Sequence, residues 1–373
     1  MIYQIIQTPS QLTALCEFLD QPTTTLMLDT EFVRTRTYYA KLGLIQIFDG
    51  HQCLLVDPVL NDLDKCEFWQ RLERHHWVLH AFGEDLEIIN PHVRQFGLSV
   101  FDTQIAASFL GHGISLGYQG LIQQTTGVLL DKGESRTDWL ARPLSERQLD
   151  YAAKDVIYLK AAYEQQCEEL KAKGLYDYVL SESARIAAIR CLKPKEQNAY
   201  LDVKNAWKLN RQELAILQQL AAWRLRTAIE RDMPVNKVVH ADTLWAIAKH
   251  QPQTKNDLKN TGISPQAFRI HAQNLLHIVK QAQQIPEQQW PEKIKRMIDY
   301  PEYKPTLSKF REVATQAEHQ TGIPADVLAP KRLIHEFFTW HWKLSEQERQ
   351  NSHKPALING WREEVLKPYL PTL

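Results

Sequence analysis

The sequence predicts a mixed α/β layer domain over residues 1–171, a linker over 172–204, and two small all-helical domains over 205–289 and 290–373. Three observations predict it. Strand-like and helix-like patterns alternate through the first 171 residues, as a layered α/β fold requires. Beyond about residue 175 the strand signals fade and helical periodicity takes over, broken by Pro286, Pro291, Pro301 and Pro305. Charge divides the same way: the first 171 residues hold 14 Lys+Arg against 23 Asp+Glu, and the remaining residues hold 30 against 21. An acidic module joined to a basic one suits a chain that binds cations in one part and attracts polyanions with the other. A length of 373 residues fits two or three domains.

Ile2 to Ile6 is a short apolar strand, and Ser10 caps a helix through Leu19. Leu26 to Phe32, Leu44 to Phe48 and Cys53 to Val56 read as successive strands, with Asp49-Gly50 as a hairpin turn. Residues 64–74 read as helix, Trp77 to Phe82 as strand, and Glu84 to Phe96 as a helix opened by Gly83. Val100-Phe101 is a further short strand, with helix from about Asp102. Ser145 and Gln148 form a capping box, which starts a long helix reaching about Lys173. Helical periodicity then runs from Asn205 to Gln284 and again over about 306–370. Gly262-Ile263 and Gly322-Ile323 occupy similar places in these two segments, the trace of a degenerate repeat.

Several classes are excluded. No run of 18 apolar residues occurs, so no membrane span is expected. Met1-Ile2-Tyr3-Gln4 does not open a signal peptide. The cysteines (Cys16, Cys53, Cys66, Cys167, Cys191) are scattered and odd in number, which argues against a disulfide framework or zinc cluster and suits a reducing cytoplasm.

The chemistry starts at Leu28-Asp29-Thr30-Glu31-Phe32. Strand side chains alternate faces, so Asp29 and Glu31 point to one side at the end of an apolar run. Two carboxylates there are costly unless a cation neutralises them, and Mg²⁺ or Mn²⁺ takes such hard oxygen ligands. The pattern alone is weak, since Asp85-Leu86-Glu87 repeats it. Further groups add weight. Asp85 falls in the first turn of the helix after a strand. Tyr151 and Asp155 lie four apart on the long helix, hence on one face. Asp29, Glu31, Asp85 and Asp155 make the carboxylate set that a two-metal phosphoryl-transfer site needs, with Tyr151 placed to orient the attacking water.

The ordered set Asp29-x-Glu31, Asp85 and Tyr151-x-x-x-Asp155 resembles the exonuclease motifs of the DEDD superfamily, in its tyrosine-bearing branch. Flanking segments narrow the resemblance to the ribonuclease D family: Leu42-Gly43-Leu44-Ile45-Gln46, His80-Ala81-Phe82-Gly83-Glu84-Asp85, Asp102-Thr103-Gln104 and the run Ser135 to Leu144. Asn205 to Gln284 is similar to the HRDC-type helical domain shared with RecQ-type helicases, and the last segment to the divergent second copy in bacterial ribonuclease D. The resemblance implies a ribonuclease-H-like fold for residues 1–171 and two HRDC-like domains after it. It implies metal-dependent 3′→5′ hydrolysis of RNA with release of 5′-mononucleotides, two divalent ions per site, and trimming of precursor transfer RNA 3′ ends. A cytoplasmic monomer is expected. Phe82 departs from the pattern, being bulky where a small residue is expected beside Asp85.

Other residues admit two roles. Phe32 is a candidate for packing on the terminal base or sugar, or for the core. Arg136 and Arg142 are candidates for meeting phosphates, or for surface salt bridges. His80 reads as a buried strand histidine. Trp207, Trp223 and Trp245 read as helical core. Arg224, Arg226 and Arg231 form a basic helix edge that would meet nucleic-acid backbone or solvent. A DNA 3′→5′ exonuclease on the same fold and a non-catalytic nucleic-acid-binding scaffold are the competing readings. A fragment of residues 1–175 is expected to fold alone, since it holds the strands, the capped helix and all five site residues.

Overall fold

The computed structural model describes residues 3–131 and 133–369. Its sheet has six strands: β1 (Gln4–Ile6), β2 (Thr25–Val33), β3 (Lys41–Phe48), β4 (Cys53–Val56), β5 (His76–Leu79) and β6 (Ser99–Asp102). Their order is β1-β4-β3-β2-β5-β6. β2 pairs antiparallel with β3 and parallel with β5, so it runs through the middle of a mixed sheet. Helices of this part are α1 (Pro9–Leu19), α2 (Phe68–Leu72), α3 (Gly83–Ile89), α4 (Thr103–Phe109), α5 (Tyr118–Thr126), α6 (Glu146–Ala172) and α7 (Tyr176–Arg190). Leu26 and Leu28 of β2 pack in one core with Leu12 and Leu15 of α1, Phe68 of α2, Leu86 of α3 and Ala187 of α7. Strand alternation sends Asp29 and Glu31 away from that core. α6 packs along β2, β3 and β4.

Local details differ from the sequence expectation for physical reasons. Thr8, not Ser10, caps α1: its side chain accepts from the Gln11 N–H in a capping box, and Pro9 fills the first helical position, where no N–H is needed. The expected helix over 64–74 is broken at Glu67, whose φ is 55°, into a single 3₁₀ turn and α2. β5 stops at Leu79 because the chain turns at Ala81, with φ 55°. α3 ends at Ile89, just before Pro91, rather than at Phe96. The start of the first strand, Ile2, lies outside the described residues. Cys16 and Cys66, far apart in sequence, are paired, with Cα atoms 6.7 Å apart.

The stretch expected as a linker over 172–204 is largely structured. α7 lies on β6 and buries Val179, Ser183 and Ala187. A further 3₁₀ turn spans Glu196–Asp202.

The C-terminal half carries α8 (Arg211–Glu230), α9 (Val235–Val238), α10 (Ala241–His250), α11 (Lys255–Lys259), α12 (Pro265–Ala282), α13 (Tyr303–Thr321), α14 (Ala325–Leu328), α15 (Lys331–Lys343), α16 (Glu346–Gln350) and α17 (Trp361–Leu366). The chain forms two compact units. One joins Met1–Val33, Lys41–Cys191 and Pro301–Leu373; the other joins Arg34–Ala40 and Leu192–Tyr300. In the first, Trp361 of α17 packs 5.0 Å from Phe109 and stacks on Tyr178, and Arg362 makes two hydrogen bonds of 2.6 and 3.0 Å to the Glu182 carboxylate. In the second, Asp232 accepts from the Tyr38 and Tyr39 N–H groups, both at 3.0 Å. Trp223 and Trp245 pack against its core as expected. Its basic helix edge is less available than expected: Arg224 is buried and donates to the Val239 carbonyl, and Arg226 pairs with Glu196 at 2.9 Å.

Candidate active site

β2 delivers two of the expected carboxylates. In register with β3, Asp29 sits opposite Gln46 and Glu31 opposite Leu44, and the pairing shifts between Glu31 and Phe32. Such a bulge at the strand end re-aims the side chains beside it. α6 delivers the third carboxylate and the phenol. Ser145 and Gln148 cap it reciprocally, and the Gln148 amide also donates to the Thr137 hydroxyl at 3.0 Å, tying the preceding loop to the helix start. That loop lies close on β3: a Cβ at Gly43 would stand 2.6 Å from the Trp139 carbonyl oxygen, so only glycine fits.

Oxygen atoms of Asp29, Glu31 and Asp155 lie within 4.8 Å of one another. Asp85 is outside that tight group. Its carboxylate accepts from the Thr30 hydroxyl at 2.5 Å. Thr30 faces away from Asp29 and Glu31 along the strand, so Asp85 comes from the other helix layer. It is still near enough for its charge to act on Asp29 and Glu31. The Tyr151 hydroxyl donates to Asp155.

Electrostatics point the same way. Burial, then the charges of Asp85, Asp155 and Glu31, push Asp29 well above the usual carboxylate range. Burial, then the charges of Asp155 and Asp85, push Glu31 to about 9. Asp155 rises to about 7 through burial, against the Tyr151 hydrogen bond, and Asp85 to about 6 through burial, against the Thr30 hydrogen bonds. Burial first, and the adjacent carboxylates second, raise the Tyr151 phenol, so it stays protonated at neutral pH. Carboxylates this crowded are stable as anions only with cations among them. The all-oxygen donor set suits a hard divalent ion.

The cluster opens into a cleft of about 430 Å³ whose walls include Asp29, His80, Tyr118, Ser135, Tyr151 and Asp155. Sequence reasoning missed several of these. His80 lies past the end of β5 on the cleft wall, with Nδ1 2.9 Å from the Thr103 hydroxyl, and burial lowers it to about 4, so its ring is neutral. Tyr118 donates to the Lys154 carbonyl at 2.8 Å and locks α5 to α6. Tyr118 has no periodic signal, because the segment before α5 is irregular, and His80, read from the sequence as a strand residue, falls just past the end of β5. Asp102 accepts from the Ala81 and Phe82 N–H groups at 2.9 and 3.2 Å and caps α4. It thereby holds the left-handed turn at Ala81 that leads into Asp85.

The candidate substrate contacts fare differently. Phe32 is half-buried and does not line the cleft. Arg136 is exposed, next to Ser135 on the cleft wall. Arg142 is turned inward, against the expectation of a phosphate contact. It bonds both oxygens of the fully buried Asp57 at 2.6 and 2.7 Å, and the carbonyls of Gly43, Trp139 and Ala141. Those contacts use all of a guanidinium's donors, leaving none for substrate.

Comparison with known proteins gives three family matches: a 3′-5′ exonuclease domain over residues 3–170, an HRDC domain over 213–279, and the C-terminal HRDC domain of ribonuclease D over 301–370. The chain is 42% identical to ribonuclease D of Psychromonas ingrahamii, over 98% of each chain. It is 40% identical to ribonuclease D of Escherichia coli, over 100% of this chain and 98% of the relative. Among solved structures it is similar to Escherichia coli RNase D, described as an exoribonuclease involved in structured RNA processing. That likeness has a TM-score of 0.91 and 39% identity, covering 99% of this chain and 97% of the other.

Proposed function

The chain belongs to the ribonuclease D family and is a 3′→5′ exoribonuclease; from that premise we propose that Asp29, Glu31, Asp85 and Asp155 hold two divalent ions, Mg²⁺ or Mn²⁺, and that Tyr151 positions the attacking water. The observation that carries this reading is the convergence of three carboxylates within 4.8 Å, each with a raised pKa, beside a protonated phenol. When bound, such ions lower the pKa of a water and stabilise charge on the phosphoryl and leaving oxygens.

The chain's own groups do the rest. Asp29 and Glu31, fixed on a central strand, and Asp155, on a capped helix, present their oxygens without rearrangement. Asp85 is steadied by Thr30. The Tyr151 hydroxyl, protonated and anchored on Asp155, orients a water without acting as a strong base. The products are 5′-mononucleotides: water would add to the last phosphorus, the bond to the 3′ oxygen of the preceding nucleotide would break, and that oxygen would leave as the new 3′ hydroxyl, so the phosphate stays on the released nucleotide.

The substrates are RNA 3′ ends, chiefly those of precursor transfer RNA, met in the cytoplasm. The description of the Escherichia coli relative as acting on structured RNA supports that substrate class. We propose further that the chain acts as a monomer, one copy supplying every residue of the site. Among the described residues no helix is long and apolar enough to cross a membrane.

The test is digestion of 5′-end-labelled RNA and matched DNA in Mg²⁺, in Mn²⁺ and in chelator. The expected result is a ladder shortening from the 3′ end, 5′-mononucleotide products and no reaction in chelator. Undiminished cleavage in chelator would refute the metal assignment, and equal rates on DNA would refute the RNA preference.

A further inference from the structure

A second cavity, of about 310 Å³, lies between the nuclease layers and the C-terminal helices of the first compact unit. Its walls come from both. Phe82, Gly83 and Gln104 stand on one side with Arg185 and Arg190 of α7; Asp326, Arg332 and Arg362 stand on the other. The interior charges are matched. Glu182 accepts from Arg185 at 2.6 and 3.0 Å and from Arg362 at 2.6 and 3.0 Å. The Asp102 oxygens are occupied by backbone N–H groups.

Two arginines remain. Arg190 and Arg332 are exposed, and among the described residues neither has a carboxylate bonded to it. Arg190 is held close over the Phe82-Gly83 turn: a Cβ at Gly83 would lie 3.1 Å from its guanidinium carbon. Arg332 is close enough to Arg362 for like-charge repulsion between them. Four guanidinium groups thus converge on one cavity. Of its three carboxylates, Glu182 and Asp102 are already saturated and Asp326 has no partner among the described residues. An anion between Arg190 and Arg332 would relieve that excess and accept charge-assisted hydrogen bonds from both.

The cavity adjoins the catalytic cleft. His80 lines the cleft and Ala81 to Gly83, the next residues, line the cavity. Gln104, on the cavity wall, donates to the Leu116 carbonyl at 3.0 Å, just before the α5 start that lines the cleft. An RNA strand entering the cleft carries a phosphate at each nucleotide, which is the anion such a position meets.

We propose that Arg190 and Arg332 form a phosphate subsite that grips the RNA backbone beside the catalytic cleft, and that this subsite exists because the C-terminal segment is docked on α7. The proposal rests on the exoribonuclease reading above.

The test uses the full chain. Affinity for a hairpin RNA with a single-stranded 3′ tail is measured in chelator across a salt series. The unaltered protein is compared with Arg190→Gln/Arg332→Gln, with Arg190→Lys/Arg332→Lys, and with Lys65→Gln/Lys173→Gln as a charge-matched control on exposed lysines away from the cavity. The glutamine pair should bind more weakly, and its slope of log affinity against log salt should be shallower by about 0.7–1, the value for one lost single-strand phosphate contact. The lysine pair should keep most of the slope, and the control should keep all of it. An unchanged slope and affinity in the glutamine pair would overturn the proposal. So would a change confined to thermal stabilisation by inorganic phosphate, which would make this a site for the free anion. Cleavage by the unaltered chain once Mg²⁺ is added checks the underlying reading separately: binding without cleavage would sink that reading and leave the subsite standing.

Discussion

Arg142 shows how a side chain's role can hide from the sequence. It sits in a motif next to the Tyr151 helix and invites a phosphate contact, yet its partner Asp57 is 85 residues away and fully buried. No local pattern reveals that pair. Replacing Arg142 with Ala should therefore act on stability rather than on substrate affinity. Removing one member of a buried, bonded pair costs roughly 3–5 kcal/mol. The expected outcome is a lower Tm with KM unchanged in the surviving folded protein; a raised KM at unchanged Tm would restore the phosphate role. Tyr151 is the opposite case. Its spacing from Asp155 is written in the helix period, and the structure places its hydroxyl on that carboxylate. Tyr151→Phe removes only the hydroxyl, so metal binding should persist while single-turnover cleavage slows by about 10²–10⁴. An unchanged rate would make Tyr151 merely structural.

At the level of elements, what was legible followed period and cap. The β2 alternation set Asp29 and Glu31 on one face, and the Ser145–Gln148 box fixed where α6 begins. Illegible elements were those decided by contacts distant in sequence. α7 fell in a stretch expected to be a linker; its buried face, with Val179, Ser183 and Ala187, is set by packing on β6, which is distant in sequence. Glu182 of α7 illustrates the energetics. Burial alone would raise its carboxyl, but the hydrogen bonds from Arg185 and Arg362 prevail and hold it at about 2, below the ordinary 4.5. A carboxyl depressed on folding contributes stability that is complete above about 4.5 and is lost as pH falls towards 2. Docking of α17 on α7 should weaken across that acid window, seen as a change in tryptophan fluorescence as Trp361 leaves Phe109 and Tyr178. Glu182→Gln should flatten this dependence; identical acid profiles would show that the pair does not report docking.

On the scale of the molecule, the fold class and the order of α/β and helical parts were readable from alternation, fading strand signals and charge. The division into compact units was not, since Pro301–Leu373 joins the nuclease unit through side chains such as Trp361 and Arg362. The expectation that residues 1–175 fold alone needs revision. That fragment lacks α7, which covers β6 and supplies the Ser183 hydroxyl that accepts from the Asp102 N–H at 3.2 Å. A fragment ending at 175 should show no cooperative thermal transition, whereas the full chain should; a sharp transition in the short fragment would mean that α7 is dispensable. We expect the chemistry to reside in the carboxylate cluster and RNA affinity in the basic remainder of the chain. The most direct test is the single-turnover cleavage rate of Asp155→Asn in saturating Mn²⁺, with bound RNA measured in the same samples. Cleavage should be abolished while RNA remains bound. Full turnover by this variant would contradict that expectation.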